Sequence, residues 1–475
     1  MPTQQEVVAQ KIRDNRFYQL LLLTLITLLA IGLRFYKLGE WSFWGDEYIT
    51  VRKAIDIFGG GITRLSPSMV STHVVLDKLG VTEWNARLVS ASVGVISIPI
   101  LFWIVKRLYS SIYVALISAL LLAVSPWHIY WSQNARFYTA LLLFFTLALL
   151  FFYRALEEDR PWFMVLSLFF FGFASMERLL SVFLIPTIIG YIILLKIGKY
   201  SIPPGLNWRN LAIYFVPGLL GLVALILLNP SIQDPERGAR SFGFVNNNPL
   251  WILSGLGFYL GIPLIVMAIF GGLSLWTKRN RLGLLLSIMA LVPLFSLMFI
   301  SLFQYTANRY AFVSLTSIII LAAFAAKELL ARMPQHGKIL AVGAVLVLLA
   351  MPMTENFLYY NYQYGNRDNW KEAFELIATR MDDEDTVITS NRALADYYLE
   401  TETIGMQSVE VAGLDKVIDG NERVWVVIDV TAVGKGPTVI EWARANARYI
   451  DSFDVNISAR TFPMEVYLYN PLQTE

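Results

Sequence analysis

The chain has no cysteine and only three histidines, His73, His128 and His336, among 475 residues. Disulfides, thiolate nucleophiles and thiolate-held metals are thereby excluded, and little is left for a histidine-rich metal centre. Charge is scarce as well. Asp, Glu, Lys and Arg make up 16% of the chain, against about 25% in soluble domains. The net charge of +2 is too small to imply a nucleic-acid partner. Internal repeats and low-complexity segments are absent, and Gly434-Lys435-Gly436 alone is a weak phosphate-loop signal. What is abundant is apolar: 56% hydrophobic and 14% aromatic residues mark a polytopic membrane protein.

A membrane helix needs about 20 mostly apolar residues. Eleven segments are expected to span, at 17–35, 88–105, 112–130, 139–153, 162–176, 179–195, 210–228, 250–275, 282–302, 310–326 and 339–353. The first follows basic residues Lys11, Arg13 and Arg16, but Leu33-Arg34-Phe35-Tyr36 is no small-residue cleavage site, so it reads as an uncleaved span. Basic segments at 11–16, 106–107, 154–160, 196–209, 278–281 and 327–338 alternate with less basic connections. By the positive-inside rule the N-terminus is cytoplasmic in a multi-pass plasma-membrane protein.

The outer side then holds a loop at 36–87, with Gly59-Gly60-Gly61 as a flexible point, a polar loop at 229–250 and everything after residue 353. Residues 1–353 form the membrane domain. Residues 354–475 read as a small extracytoplasmic α/β domain. Its helices are expected at Asp368–Met381, Arg392–Leu399 and Pro437–Ala447, and its strands at Thr386–Ser390, Val424–Val430 and Glu465–Tyr469.

No Asp, Glu, Lys or Arg stands near the middle of any expected span. A coupled transporter or channel usually places charge at membrane depth, so this pattern favours a polar site at the outer surface. Charged residues cluster there: Asp46, Glu47, Lys78, Glu83, Arg87, Arg136, Glu177, Arg178 and Arg309.

Three outward stretches carry candidate chemistry. Asp46-Glu47 lies in the aromatic run Trp41-Ser42-Phe43-Trp44-Gly45-Asp46-Glu47-Tyr48. A carboxylate in a partly apolar setting makes a good general base; the plainer reading is two solvated loop acids. The run Ser125 to Tyr138 is dense in aromatic and polar groups, and Trp127 and Trp131 fit an interfacial belt. Arg136 in that run offers a fork suited to phosphate oxygens. Arg87 and Arg309, each at the start of a span, either snorkel to the surface or meet a lipid phosphate.

Taken in order, Asp46-Glu47, Glu83-x-x-x-Arg87-Leu88-x-Ser90, Ser125-Pro126 and Ser132-Gln133-Asn134-Ala135-Arg136-x-Tyr138 resemble the lipid-linked glycosyltransferases of the C fold. The nearest resemblance is to the protein O-mannosyltransferases (glycosyltransferase family 39) and the aminoarabinose transferase of lipid A. It covers about residues 17–330 and extends weakly to Asn366–Ala373. Two departures stand out. Pro67-Ser68-Met69-Val70-Ser71-Thr72-His73 replaces the Lys-Pro-Pro-Leu of many relatives, and Tyr138 and Thr139 stand where protein mannosyltransferases place an aspartate.

The resemblance implies an inverting transferase that takes a sugar from polyprenyl phosphate to an acceptor hydroxyl on a glycan, lipid or protein of the cell envelope. In that reading Asp46 is the base and Glu47 orients Asp46 or the acceptor. Arg136, Arg87 and Arg309 contact the donor phosphate. Tyr48, His73, Lys78, His128, Gln133 and Tyr138 are candidate substrate contacts, with His73 or Lys78 standing in for the missing basic residue. Beyond the polyprenyl-phosphate sugar as donor substrate no cofactor is assigned; a divalent ion, if used, would fall to Asp46 and Glu47, an incomplete ligand set. The competing classes are a lipid-linked sugar flippase or transporter and a polysaccharide polymerase or ligase.

Overall fold

The computed structural model describes residues 15–60, 65–228, 249–332, 337–414, 423–457 and 460–471. The polar loop at 229–250 therefore lies outside the described residues except for its last two positions. The chain packs as two compact units. One comprises Met1–Tyr36, Gly61–Ser71 and Val89–Met353; the other comprises Lys37–Gly60, Thr72–Leu88 and Thr354–Glu475. The segments 37–60 and 72–88 of the loop expected at 36–87 thus group with the C-terminal region.

The first unit is helical. In chain order the elements begin with α1 (Arg16–Phe35), then α2 (Gly45–Ile55), which belongs to the second unit, α3 (Pro67–Leu79) and α4 (Glu83–Tyr109), which pass between the two groupings, and α5 (Ile112–Val124) and α6 (Pro126–Ser132). Next come α7 (Tyr138–Glu158), α8 (Pro161–Glu177), α9 (Leu184–Ile197) and α10 (Trp208–Leu228). The series closes with α11 (Leu250–Leu260), α12 (Ile262–Thr277), α13 (Arg281–Ile300), α14 (Leu315–Arg332) and α15 (Gly337–Asn361).

Among the described residues six helices are long and apolar enough to cross a membrane, or eight if each bent pair is one span. Eleven straight spans were expected, and two of them are broken. The segment 112–130 bends by 58° between α5 and α6, where Pro126 has no N–H to continue α5 and the Ser125 hydroxyl caps His128 N. The segment 250–275 bends by 102° at Gly261, whose φ of 76° ends α11 before α12 starts at Ile262 with Pro263 in its first turn. The expected span at 162–176 is the 17-residue helix α8, and the helix expected at 339–353 belongs to α15, which runs on to Asn361.

The second unit adds α16 (Trp370–Ala378), α17 (Arg392–Leu399), α18 (Met406–Ala412) and α19 (Pro437–Asn446). Its strands are β1 (Thr386–Thr389), β2 (Ile404–Gly405), β3 (Val424–Ile428), β4 (Arg448–Ser452), β5 (Val455–Ile457), β6 (Arg460–Phe462) and β7 (Glu465–Tyr469). Five of these form one sheet in the order β2-β1-β3-β7-β4, and β5-β6 is a separate hairpin. β1 runs parallel to both β2 and β3, whereas β7 is antiparallel to β3 and β4.

β3 is buried along its whole length, as expected of an apolar strand in the middle of a covered sheet. Its Val424, Val426 and Ile428 pack with Ile388, Met406, Val409, Val439 and Ala443 to form the core. α16 buries Trp370, Ala373, Phe374 and Ile377, the i, i+3, i+4, i+7 stripe of an amphipathic helix.

Candidate active site

Asp46 and Glu47 occupy the first turn of α2. Successive helical side chains point about 100° apart and do not face one another, so the acid pair divides. Asp46 is half-buried, whereas Glu47 is fully buried. Glu47 accepts from Arg87 Nε at 2.8 Å and from Arg87 Nη2 at 2.9 Å. Arg87 also donates to the carbonyls of Leu38 at 2.9 Å, Trp41 at 3.0 Å and Ser42 at 2.9 Å. These contacts use all five N–H groups of the guanidinium. Arg87 and Glu47 both have 0% side-chain exposure, and Arg367 Nε lies 3.7 Å from Glu47 Oε2.

This geometry corrects one sequence assignment and narrows another. Arg87 has no donor left for a lipid phosphate and instead ties the chain at 38–42 to α4. Glu47 is buried and paired with Arg87, so of its two expected roles the contacts fit fixing the turn that carries Asp46 rather than meeting an acceptor. Among the described residues no group of three or more His, Asp or Glu is placed to hold one.

Around Asp46 the unit is aromatic. Tyr48 packs on Tyr397 and Phe43, at ring separations of 5.2 and 5.8 Å. Burial, opposed by Arg52 and reinforced by Asp396, pushes the Tyr48 phenol up. Tyr398 accepts from Phe43 N at 2.8 Å and donates to Glu83 Oε1 at 2.7 Å. Burial, and then the Glu83 carboxylate, drives its phenol well above the ordinary range. Trp41 stacks on Tyr360 and meets Tyr359 edge-on. Gly365, at φ 61°, brings its backbone against the Trp41 ring. Ser42 Oγ donates to Asp368 O at 2.6 Å.

His73 Nδ1 is 2.8 Å from Ala54 O, near the end of α2, so the ring closes that helix. Lys78 is exposed.

In the membrane unit the other candidates fall into two groups. His128, Gln133 and Tyr138 are structural. Arg34 sends Nη1 to Ala123 O and Nη2 to Leu122 O, at 2.9 and 3.1 Å, which caps the open carbonyl end of α5. Its Nη2 also donates to His128 Nδ1 at 2.7 Å. Arginine cannot accept, so His128 is a neutral acceptor on Nδ1. Gln133 returns the favour to α1, with Nε2 donating to Tyr36 O at 2.8 Å and Arg34 O at 3.2 Å. Each helix end is capped by a side chain from the other segment. Tyr138 is buried 3.8 Å from the Trp131 ring.

The cations form the second group. Arg136 and Arg178 lie 5.1 and 5.3 Å from the Phe137 ring. Arg136, Arg178 and Arg309 all act electrostatically on the Tyr138 hydroxyl. Arg178 was seen in the sequence only as one outer charge among many, and its signal is the polar pair Glu177-Arg178 closing an apolar run. Glu177 accepts from Ser68 N at 2.8 Å and from Ser68 Oγ, which caps the start of α3.

Residues 72–232 match the family described as dolichyl-phosphate-mannose-protein mannosyltransferase. The match includes Arg87, Arg136 and Arg178 but neither Asp46 nor Arg309. Among curated proteins no sequence match was found. The crystal structure of ArnT from Cupriavidus metallidurans in the apo state superposes with a TM-score of 0.60 at 16% identity, covering 94% of this chain and 97% of that one. The same protein bound to undecaprenyl phosphate gives 0.60 at 15% identity, over 93% and 97%. The fold is that of ArnT. The chain is therefore a polytopic helical membrane protein of the C-type glycosyltransferase fold, and like ArnT over nearly its whole length.

Proposed function

We propose that the chain is an inverting membrane glycosyltransferase that moves a hexosyl or pentosyl group from polyprenyl phosphate to an acceptor hydroxyl at the outer membrane face. The orientation follows the positive-inside pattern, with a cytoplasmic N-terminus and an extracytoplasmic C-terminal domain. The observation that carries the reading is the division of the acid pair: Glu47 is locked to Arg87, which fixes the turn that presents the half-buried Asp46. The family match over residues 72–232 and the likeness to a transferase solved with undecaprenyl phosphate support the donor class.

Asp46 takes the proton from the acceptor hydroxyl. The acceptor oxygen forms its bond to the anomeric carbon as the bond to the phosphate oxygen breaks. Polyprenyl phosphate leaves with the electron pair, and one displacement inverts the centre. The leaving group gains negative charge, which preorganised cations stabilise; Arg136, Arg178 and Arg309 are assigned that role. The acceptor is a glycan, lipid or protein of the envelope.

The test is to incubate purified protein with radiolabelled polyprenyl-phosphate sugar and membrane extract. Label should pass to an acceptor, and Asp46→Asn should insert normally and transfer nothing. Movement of intact donor between leaflets without transfer would instead identify a flippase. Normal transfer by folded Asp46→Asn would remove Asp46 as the base.

A further inference from the structure

The end of α7 farthest from Arg136 carries a second polar feature, unconnected with the proposed transfer chemistry. A cavity of about 850 Å³ opens there among the C-terminal turns of α4 and α7. Its walls include Trp103, Lys106 and Arg107 from α4 and Phe151, Arg154 and Glu158 from α7. α7 has 21 residues, so at a rise of about 1.5 Å per residue it is about 30 Å long, the thickness of the hydrocarbon core. The cavity therefore lies at the opposite membrane surface from the Arg136 end of the helix.

Three cations face one carboxylate in this cavity. Lys106 Nζ donates to Gln19 Oε1 at 2.7 Å, which leaves two of its three N–H donors. Arg154 gives Nε and Nη2 to Glu158 Oε1 at 2.8 and 2.6 Å, and its guanidinium lies 4.2 Å from the Phe163 ring. This leaves the Nη1 end. Arg107 is exposed. Trp103 is 50% exposed on the lipid-facing side of an apolar helix. The tendency of basic residues to collect at one membrane face explains the cations, but not an open, aromatic-walled cavity between two helix ends.

We infer that this cavity is a binding site for an anionic glycerophospholipid. The phosphodiester is held by Lys106, Arg107 and Arg154, and the upper acyl chain runs along Trp103 and Phe151. Basic pockets between membrane helices bind anionic headgroups in this manner, and the excess of cations selects against zwitterionic lipids.

The test is native mass spectrometry of the delipidated full-length protein titrated with phosphatidylglycerol or phosphatidylcholine. Wild type should take up phosphatidylglycerol at least about tenfold more tightly. Each neutralised cation should cost about fivefold, so Arg107→Gln should lose about fivefold and Arg107→Gln with Arg154→Gln about 25-fold. Lys196→Gln, an exposed cation in the last turn of α9, should lose nothing. Four results would each overturn the site: equal uptake of the two lipids, unaltered affinity in Arg107→Gln, an equal loss in Lys196→Gln, or displacement by millimolar inorganic phosphate. Preference for undecaprenyl phosphate over phosphatidylglycerol would assign the cavity to the carrier lipid and also overturn it.

Discussion

Replacing Arg87 by lysine should loosen the turn bearing Asp46 rather than weaken donor binding. The guanidinium fills five acceptor positions: two on Glu47 and one each on the carbonyls of Leu38, Trp41 and Ser42. A lysine ammonium has three donors and no planar fork. At least two buried acceptors are then orphaned, at about 1–3 kcal/mol each, giving a loss of about 2–6 kcal/mol. Arg87→Ala is worse, because it takes both short hydrogen bonds from the buried Glu47 carboxylate and leaves it the longer 3.7 Å contact to Arg367, at up to about 3–5 kcal/mol beyond the three open carbonyls. Against a typical stability of about 5–15 kcal/mol, either change is felt at once. Adding Glu47→Gln to Arg87→Met should restore part of the loss but not all, since the carbonyls stay without donors. The assay is hydrogen exchange over residues 37–60 in detergent, read beside transfer kinetics. Wild-type protection in Arg87→Lys together with only a raised KM for donor would refute the reasoning and return Arg87 to the phosphate.

Three further outcomes follow from other contacts. Gln133→Leu strips the amide donor from Tyr36 O and Arg34 O and should cost about 1–3 kcal/mol; an unchanged thermal midpoint would contradict the capping role. Gly365→Ala should destabilise by at least about 2 kcal/mol, because φ is 61° and an added Cβ would stand 2.5 Å from the Trp41 ring; fluorescence-detected melting should show it. Burial, and then the neighbouring Asp429, raises the Asp368 carboxyl to about 6. The folded protein thus holds this proton more tightly than the unfolded chain, so the group is neutral at no cost below about pH 4. Stability falls as pH rises from about 4 to 6, by about 3 kcal/mol. Asp368→Asn should flatten this trend and raise the midpoint at pH 7.5 but not at pH 4; a parallel decline in the variant would show that other groups carry it.

The C-terminal sheet and its helices were legible wherever a segment stated its own period. Arg392–Leu399 and Glu465–Tyr469 are found with the expected bounds, and the strand expected at Val424–Val430 ends two residues early. β2 and the β5-β6 hairpin are strands of two or three residues, too short to show any alternation, and β4 is largely exposed. The helix breaks at Ser125-Pro126 and Gly261 were not read, because mean apolarity persists across them while the backbone turns. The division of Asp46 from Glu47 depends on Arg87 and Arg367, 40 and 320 positions away; no local pattern announces such partners. Arg34 stood at the end of a span and drew no reading of its own in the sequence. Its role is to terminate α5, a segment brought near only by the fold.

The second unit draws on three separate stretches, and its last, Thr354–Glu475, is made long after Leu88. At about 5–20 residues per second, the roughly 265 intervening residues take about 15–50 s to synthesise. During that interval the Asp46 segment is already made but stands without Trp370, Tyr397 or Arg367, and its aromatic side chains stay uncovered. Arg87 can meet Glu47 early, since they are 40 positions apart, so this ion pair is a natural nucleus around which the waiting loop stays ordered. Assembly is thus a matter of high contact order. A ribosome stalled before residue 354 would leave an aromatic, unsatisfied loop open to quality-control proteases.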